Sequence, residues 1–205
     1  MVKLLEDPST EFRILTAAKK VFLAKGMSGA RMQDIADEAG INKAMLHYYF
    51  RSKEKLFETI FKEISKNFLP GIMAIFEADK PLFEKIELFC REYIDKIREM
   101  PYMPIFLLHE INRQPSAFIK KMWGNRKPPV RIFFDQVEAE IGKGRIKAIQ
   151  PVQLLMNIIS LCIFPFIAMP VIAHVADITR EQFDLLMKER KVLVPKLIID
   201  AIKID

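Results

Sequence analysis

Two cysteines stand in 205 residues, Cys90 and Cys162, far apart and in no metal-ligand spacing. A disulfide scaffold and a cysteine zinc site are poor readings of such a chain. Two lone thiols fit a reducing compartment, here the cytoplasm. Glycine is scarce, seven in all, and no glycine-rich loop is present to cradle a phosphate. No run of alternating β-branched residues marks a strand. The segment from Met1 to Ser9 has no apolar run of signal-peptide length. No His/Asp/Glu grouping suggests a metal, and no nucleophile–base pair suggests an enzyme, so no cofactor is expected.

A different kind of absence is the missing charge between Ala148 and Val175. By length alone this could span a bilayer, where roughly 20 apolar residues suffice. Gln150, Gln153 and Asn157 interrupt its first half, and Pro165 and Pro170 its second. A helix apolar all round is equally at home in a protein core or a subunit interface. The membrane-anchored alternative stays open from these residues alone.

What is there is helical. Hydrophobic residues make up 51% and charged residues 28%, the balance of a globular protein long enough for a sizeable core. Apolar positions recur at three and four. Phe12, Leu15, Ala18 and Phe22 trace one face, with Ile14, Ala17 and Val21 beside it. Asp7-Pro8 reads as a helix start and Gly26 as a stop. Further helices are expected over Arg31–Glu38, over Lys43–Tyr49 with Asn42 as N-cap, and from a Ser52 cap to about Phe68. After Pro70-Gly71 the expected helices are Pro81–Glu99, Met103–Asn112, Pro129–Ile141, Pro151–Ile167 and Thr179–Ile202, the last bent at Pro195. The fold class is all-α.

Two short helices around a tight turn at Gly40 form a helix-turn-helix. Ala36 lies where the helices cross, and Gly40 supplies the positive φ of the turn. Ile35, Ile41 and Leu46 are expected to fill the small core. An ordinary αα-hairpin would show the same spacing. The run DIADEAGINKAMLHYYFRSKEKLF from Asp34 to Phe57 says more. It closely resembles the DNA-binding signature of the TetR family of transcriptional regulators. The resemblance extends to the preceding helix through Ala18, Phe22 and Gly26, and covers about the first 57 residues.

The resemblance implies a helix-turn-helix DNA-binding domain over 1–57 and a helical ligand-binding and dimerisation domain over 58–205. Helix 43–49 is about two turns long, which suits insertion into a major groove. Lys43, Ala44 and Met45 at its N-terminus would reach base edges. His47, Tyr48 and Tyr49 would touch phosphates, and Lys53 is the family's usual phosphate contact. Arg31, Gln33 and Asn42 complete the expected interface. Arg31 stands where a Ser or Thr usually caps the helix, so Ser28 or water should serve the free N–H groups. Net charge does not itself announce DNA. It is +6 overall, with ten Lys/Arg against seven Asp/Glu in residues 1–57.

In the second part the resemblance implies an apolar cavity for a small organic effector. Phe89, Tyr93, Tyr102, Met103, Phe106, His109 and Trp123 are its candidate walls, against the plainer reading of each as core. Between Ile111 and Asp135 lie six basic residues and no acidic one, which reads as a solvated loop or as help for an acidic ligand. Helices 151–167 and 179–202 would pair with their symmetry mates as a four-helix seam. Leu154, Leu155, Ile158, Ile159, Cys162 and Phe166 would lie on one, and Phe183, Leu186, Met187, Val194, Leu197, Ile198 and Ala201 on the other. The expected protein is a cytoplasmic homodimer that binds a double-stranded operator and leaves it on binding the effector, with no membrane partner. A helix-turn-helix regulator acting without an effector remains the other alternative.

Overall fold

A computed structural model describes residues 8–101, 103–113, 115–116, 119–120 and 128–204. The expected sites Tyr102 and Trp123, and the Asp7 cap, lie outside them. The helices are α1 Pro8–Gly29, α2 Met32–Ala39, α3 Lys43–Tyr49, α4 Lys53–Glu77, α5 Leu82–Glu99, α6 Met103–Arg113, α7 Val130–Gly142, α8 Pro151–Ile167, α9 Met169–Ala176 and α10 Arg180–Ile202. No strand is formed among the described residues; one isolated antiparallel bridge joins Ile146 and Lys203.

The chain divides into two compact units, residues 1–66 and 67–205. In the first, α1 lies along α2. Its buried stripe is Ile14, Ala17, Ala18, Val21 and Phe22, with Phe22 edge-on to Phe57 at 5.1 Å between ring centres. This corrects the expected face. Phe12 is 70% exposed and Leu15 half-buried, because the inward arc is centred on Ala18 and not on the Phe12–Leu15 edge. Gly26 takes φ 68° and breaks the helical run where a stop was expected, though one more turn follows to Gly29.

Helix α4 does not stop at Pro70. It runs through Pro70 and Gly71 to Glu77. An interior proline costs about 3 kcal/mol of helix stability. Ile72 and Phe76, beyond the proline, are buried in the second unit's core, and that packing holds the last turns in place.

In the second unit, α10 packs along α5, α8 lies against both, and α6 and α7 rest on α8. Thr179 caps α10 with a reciprocal box, accepting from Gln182 N while Gln182 Oε1 accepts from Thr179 N at 2.7 Å. Arg98 on α5 grips Asp184 on α10 through two bonds of 2.8 and 3.0 Å, and Lys191 reaches Asp95 at 2.9 Å. The uncharged stretch becomes α8 and a helix not expected from sequence, α9, bent by 68° from it. Pro165 and Pro170 sit on either side of that bend. No single described helix is long and apolar enough to cross a membrane.

Of the expected seam residues, eight turn inward, while Leu186, Leu197 and Ala201 are exposed and Leu155 and Ile159 are half-buried. Leu154, Ile158, Cys162 and Phe166 of α8, and Phe183, Met187, Val194 and Ile198 of α10, are buried in the core of this unit. On α8, apolar all round, the periodic stripe read from sequence is the face turned inward, and on α10 the expected stripe divides between core and surface. Val152, Met156 and Phe164 of α8, and Leu185, Leu186, Val192, Leu193 and Leu197 of α10, are exposed.

Candidate nucleic-acid interface

The turn between α2 and α3 is built from backbone requirements. Gly40 adopts φ 66°, ψ 37°, a left-handed conformation that an L side chain resists. Its N–H donates to Asp37 O at 3.1 Å, and Ile41 N–H donates to Ala36 O at 3.0 Å. These two bonds close the end of α2 in a Schellman arrangement. Asn42 then caps α3: its Oδ1 accepts from Met45 N at 2.7 Å. Ile35, Ala36 and Leu46 are fully buried as expected, whereas Ile41 is only half-buried, since it sits in the turn itself.

With Leu46 turned inward, the opposite side of α3 faces outward. Lys43, Ala44, Met45, His47 and Tyr48 are all exposed, Met45 by 40% and Tyr48 by 62%. Tyr49 is half-buried, and Tyr48 meets it edge-on at 5.4 Å. His47 Nδ1–H donates to Arg51 O at 3.2 Å in the tautomer that carries its proton there. The structure therefore brings five expected contact residues onto one free surface of a two-turn helix. Met45 keeps apolar surface in contact with water, and so does Tyr48 although it leans on Tyr49.

At the start of α2 the side chain of Ser28, the expected cap, lies outside the described set. Arg31 has no acceptor with which to cap and makes no side-chain cap bond. The Asp34 carboxylate does part of that work, accepting from Arg31 N–H at 3.0 Å and pairing with Lys25 of α1 at 3.0 Å. Lys25 first, and then the Arg31 N–H, hold the Asp34 carboxyl below the usual carboxylate value. Glu38 pairs with Lys20 at 3.1 Å, and Gln33 Nε2 donates to Asp37 at 2.7 Å. The acidic residues that dilute the basic density of this segment are thus engaged on the α1–α2 side. Lys53, at the first turn of α4, donates to Ala30 O at 3.0 Å, fastening the loop ahead of α2. Its ammonium has two further donors.

Two residues that hold this interface were not singled out from sequence. Asp34 stands three places after Arg31, the position from which an acidic side chain reaches back to a cap, so the signal was present. Arg13 donates to Ala39 O at 2.7 Å and, less directly, to Gly40 O at 3.4 Å, and no motif spacing announces such a bond.

In the second unit, Phe89 is buried and stacks on Tyr93 at 5.2 Å with the rings 14° from parallel. Burial pushes the Tyr93 phenol well above its ordinary value. The adjacent Cys90 thiol, together with burial, pushes the Cys162 thiol up as well. Such a thiol is a poor nucleophile. Met103 is buried. Phe106 and His109 lie on α6, and their side chains fall outside the described set.

Residues 14–60 match the family model described as "Bacterial regulatory proteins, tetR family". The HTH-type transcriptional regulator RutR of Escherichia coli (strain K12) is 27% identical over 145 residues, spanning 71% of this chain and 68% of RutR. The HTH-type transcriptional repressor NicS of Pseudomonas putida is 40% identical over 67 residues, 33% of this chain and 32% of NicS. A crystal structure of a HlyIIR mutant protein superposes with a TM-score of 0.62 over 97% of this chain and all of that one, at 23% identity, a likeness of fold.

Proposed function

We propose that this chain, which belongs to the TetR family of bacterial transcriptional regulators, is a homodimeric repressor released from a palindromic operator by a small apolar or amphipathic organic molecule. The observation that carries the DNA-reading part is the outward surface of α3. Lys43 can donate to guanine O6 and N7, and Ala44 and Met45 can touch a thymine methyl. Tyr48, His47, Arg31 and Lys53 lie around it as phosphate partners, with Gln33, Asn42 and Tyr49 shaping the same surface. The repressor sense follows the name carried by NicS.

Dimerisation is assigned to α8 and α10 through their exposed apolar sides, Val152 and Met156 on one and Leu186, Leu193 and Leu197 on the other. Burying such surface yields about 25 cal/mol per Å2. Two copies of α3 must then stand about 34–36 Å apart to enter successive major grooves. An effector that binds a wider-spaced form more tightly draws the population off DNA, by no more than that difference in affinity. Helix α4, whose residues belong to both units, is the lever between a DNA-binding domain over 1–57 and an effector domain over 58–205. The aromatic stack of Phe89 and Tyr93, an apolar wall with a polar tip, suits an amphipathic ligand. A regulator of this kind works in the cytoplasm.

Operator selection from a random duplex library with purified protein tests the reading. Enrichment of a two-fold symmetric site supports it, and a pool with no enriched site overturns it. Mass spectrometry of small molecules released from the purified dimer, followed by their addition to the operator complex, tests the effector step.

A further inference from the structure

Helix α3 has seven residues, too few to stand as a helix on its own, so its direction is set by what surrounds it. Leu46 anchors one side. The other determinant is the turn Gly40–Asn42. Its two Schellman bonds satisfy the carbonyls of Ala36 and Asp37. Beyond Glu38, the carbonyls of Ala39 and Gly40 are both met by a single side chain, Arg13 of α1. A Cβ placed on Gly40 would lie 3.3 Å from the guanidinium nitrogen, so the contact is close.

Helix α1 is also tied to α2 by Lys25–Asp34 and Lys20–Glu38. Those pairs join exposed or part-exposed side chains, where ion pairs contribute little to rigidity. The Arg13 side chain is exposed as well, and its bond differs in what it holds. It holds backbone, at the point from which α3 departs, with a charged donor on a 2.7 Å bond. Arg13 also lies one residue ahead of the segment that matches the family model.

We propose that Arg13 is a positioning residue for operator recognition: it fixes the angle of the α2–α3 turn, and through it the register of α3 in the groove, without touching DNA. This rests on the DNA-binding reading above and deepens it. A guanidinium that holds the turn acts on base readout, which tolerates little misplacement, and leaves the attraction to phosphates unchanged. A guanidinium that grips phosphate acts on every sequence equally and contributes about one unit to the salt slope.

The experiment measures affinity for the selected operator and for an unrelated duplex, each across a salt series, for wild type, Arg13→Met and Arg13→Gln. Circular dichroism at the working temperature establishes which variants are folded. In a folded neutral variant the operator affinity falls about tenfold, the worth of one charged hydrogen bond. Affinity for the unrelated duplex and the salt slope stay at wild-type values. An equal loss on both duplexes with a slope smaller by about one moves Arg13 to the phosphate contacts and overturns the proposal. Undiminished operator affinity overturns it too, as does the unfolding of both variants, which makes Arg13 a stability residue. Wild-type protein with no operator preference removes the regulator reading instead, and that failure is visible before any variant is compared.

Discussion

Lys85 on α5 donates its ammonium to the carbonyl oxygen of Phe76, 2.9 Å away, and is only 4% exposed. Phe76 lies in the last turn of α4, where carbonyls lack partners within the helix and the dipole favours a cation. Burial lowers the Lys85 pKa, while Asp79 pulls the other way. Lys85→Met keeps the apolar stem, leaves the Phe76 carbonyl unpaired and removes a desolvated charge. The first effect costs about 1–3 kcal/mol and the second offsets part of it, so a net loss of about 1 kcal/mol is expected at neutral pH. The pH dependence has a definite sign. With the folded pKa below the unfolded one, the unfolded chain holds the proton longer as pH rises. Wild type therefore gains stability between the lowered value and the ordinary 10.5. The variant lacks that gain, so its deficit should widen with pH. Urea unfolding at neutral and alkaline pH checks this, and a constant deficit contradicts it.

Asp34 gives the opposite case. Its carboxyl is held below the usual value by Lys25 and by the Arg31 N–H. The stability this supplies is present above the ordinary carboxylate value and is lost as pH falls through the lowered folded one. Asp34→Asn can still accept from Arg31 N–H but loses the Lys25 pair. Its thermal midpoint should lie below wild type at neutral pH and converge with it in acid. A difference that persists unchanged into acid would show that the charge on Asp34 is not its source.

The helix-turn-helix was legible because local chemistry fixes it. Gly40 must take a positive φ, Asn42 must cap, and Ala36 must be small, and each of these is a statement about a few neighbouring residues. The boundaries of α3 and α8 follow from caps and prolines in the same way. Legibility failed where tertiary packing overrode a local signal. Pro70 reads as a break, yet Ile72 and Phe76 are buried beyond it and α4 continues. On α8 the period of Leu154, Ile158 and Cys162 identifies a face but not what covers it, because Met156 and Phe164 offer a second apolar face. The Arg13 bond was invisible for a third reason: it joins positions 26 and 27 residues apart, and nothing in the spacing encodes it.

Lys43 and Lys53 should separate by the kind of loss they cause. Lys43 is exposed at the start of α3. Lys43→Ala should cost about 1–3 kcal/mol at one base position and relax selection there. Lys53→Ala should weaken binding to all duplexes alike and lower the salt slope by about one. It also frees Ala30 O, so a small drop in thermal midpoint should accompany it. Parallel binding series on the operator and on single-base variants decide between them. A uniform loss for Lys43→Ala would move it to the phosphate class.

The dimer seam allows the sharpest contrast, since the two faces of α8 and α10 predict different failures. Leu193 is 55% exposed within one protomer, and a lysine there costs the isolated chain little. In the assembled seam the same lysine would be buried without a partner, at several kcal/mol for each of two copies. Leu193→Lys should therefore give a folded monomer with full helical signal. Ile158 sits in the protomer's own core, and Ile158→Lys should lower the amount of folded protein whatever the oligomeric state. Light scattering and circular dichroism on the two variants separate these outcomes. The monomer should also lose operator affinity far more than affinity for a single half-site, because one α3 then reads alone. If Leu193→Lys remains a dimer, α10 contributes its other exposed face, through Leu185 and Val192, and Val192→Lys becomes the variant that must dissociate.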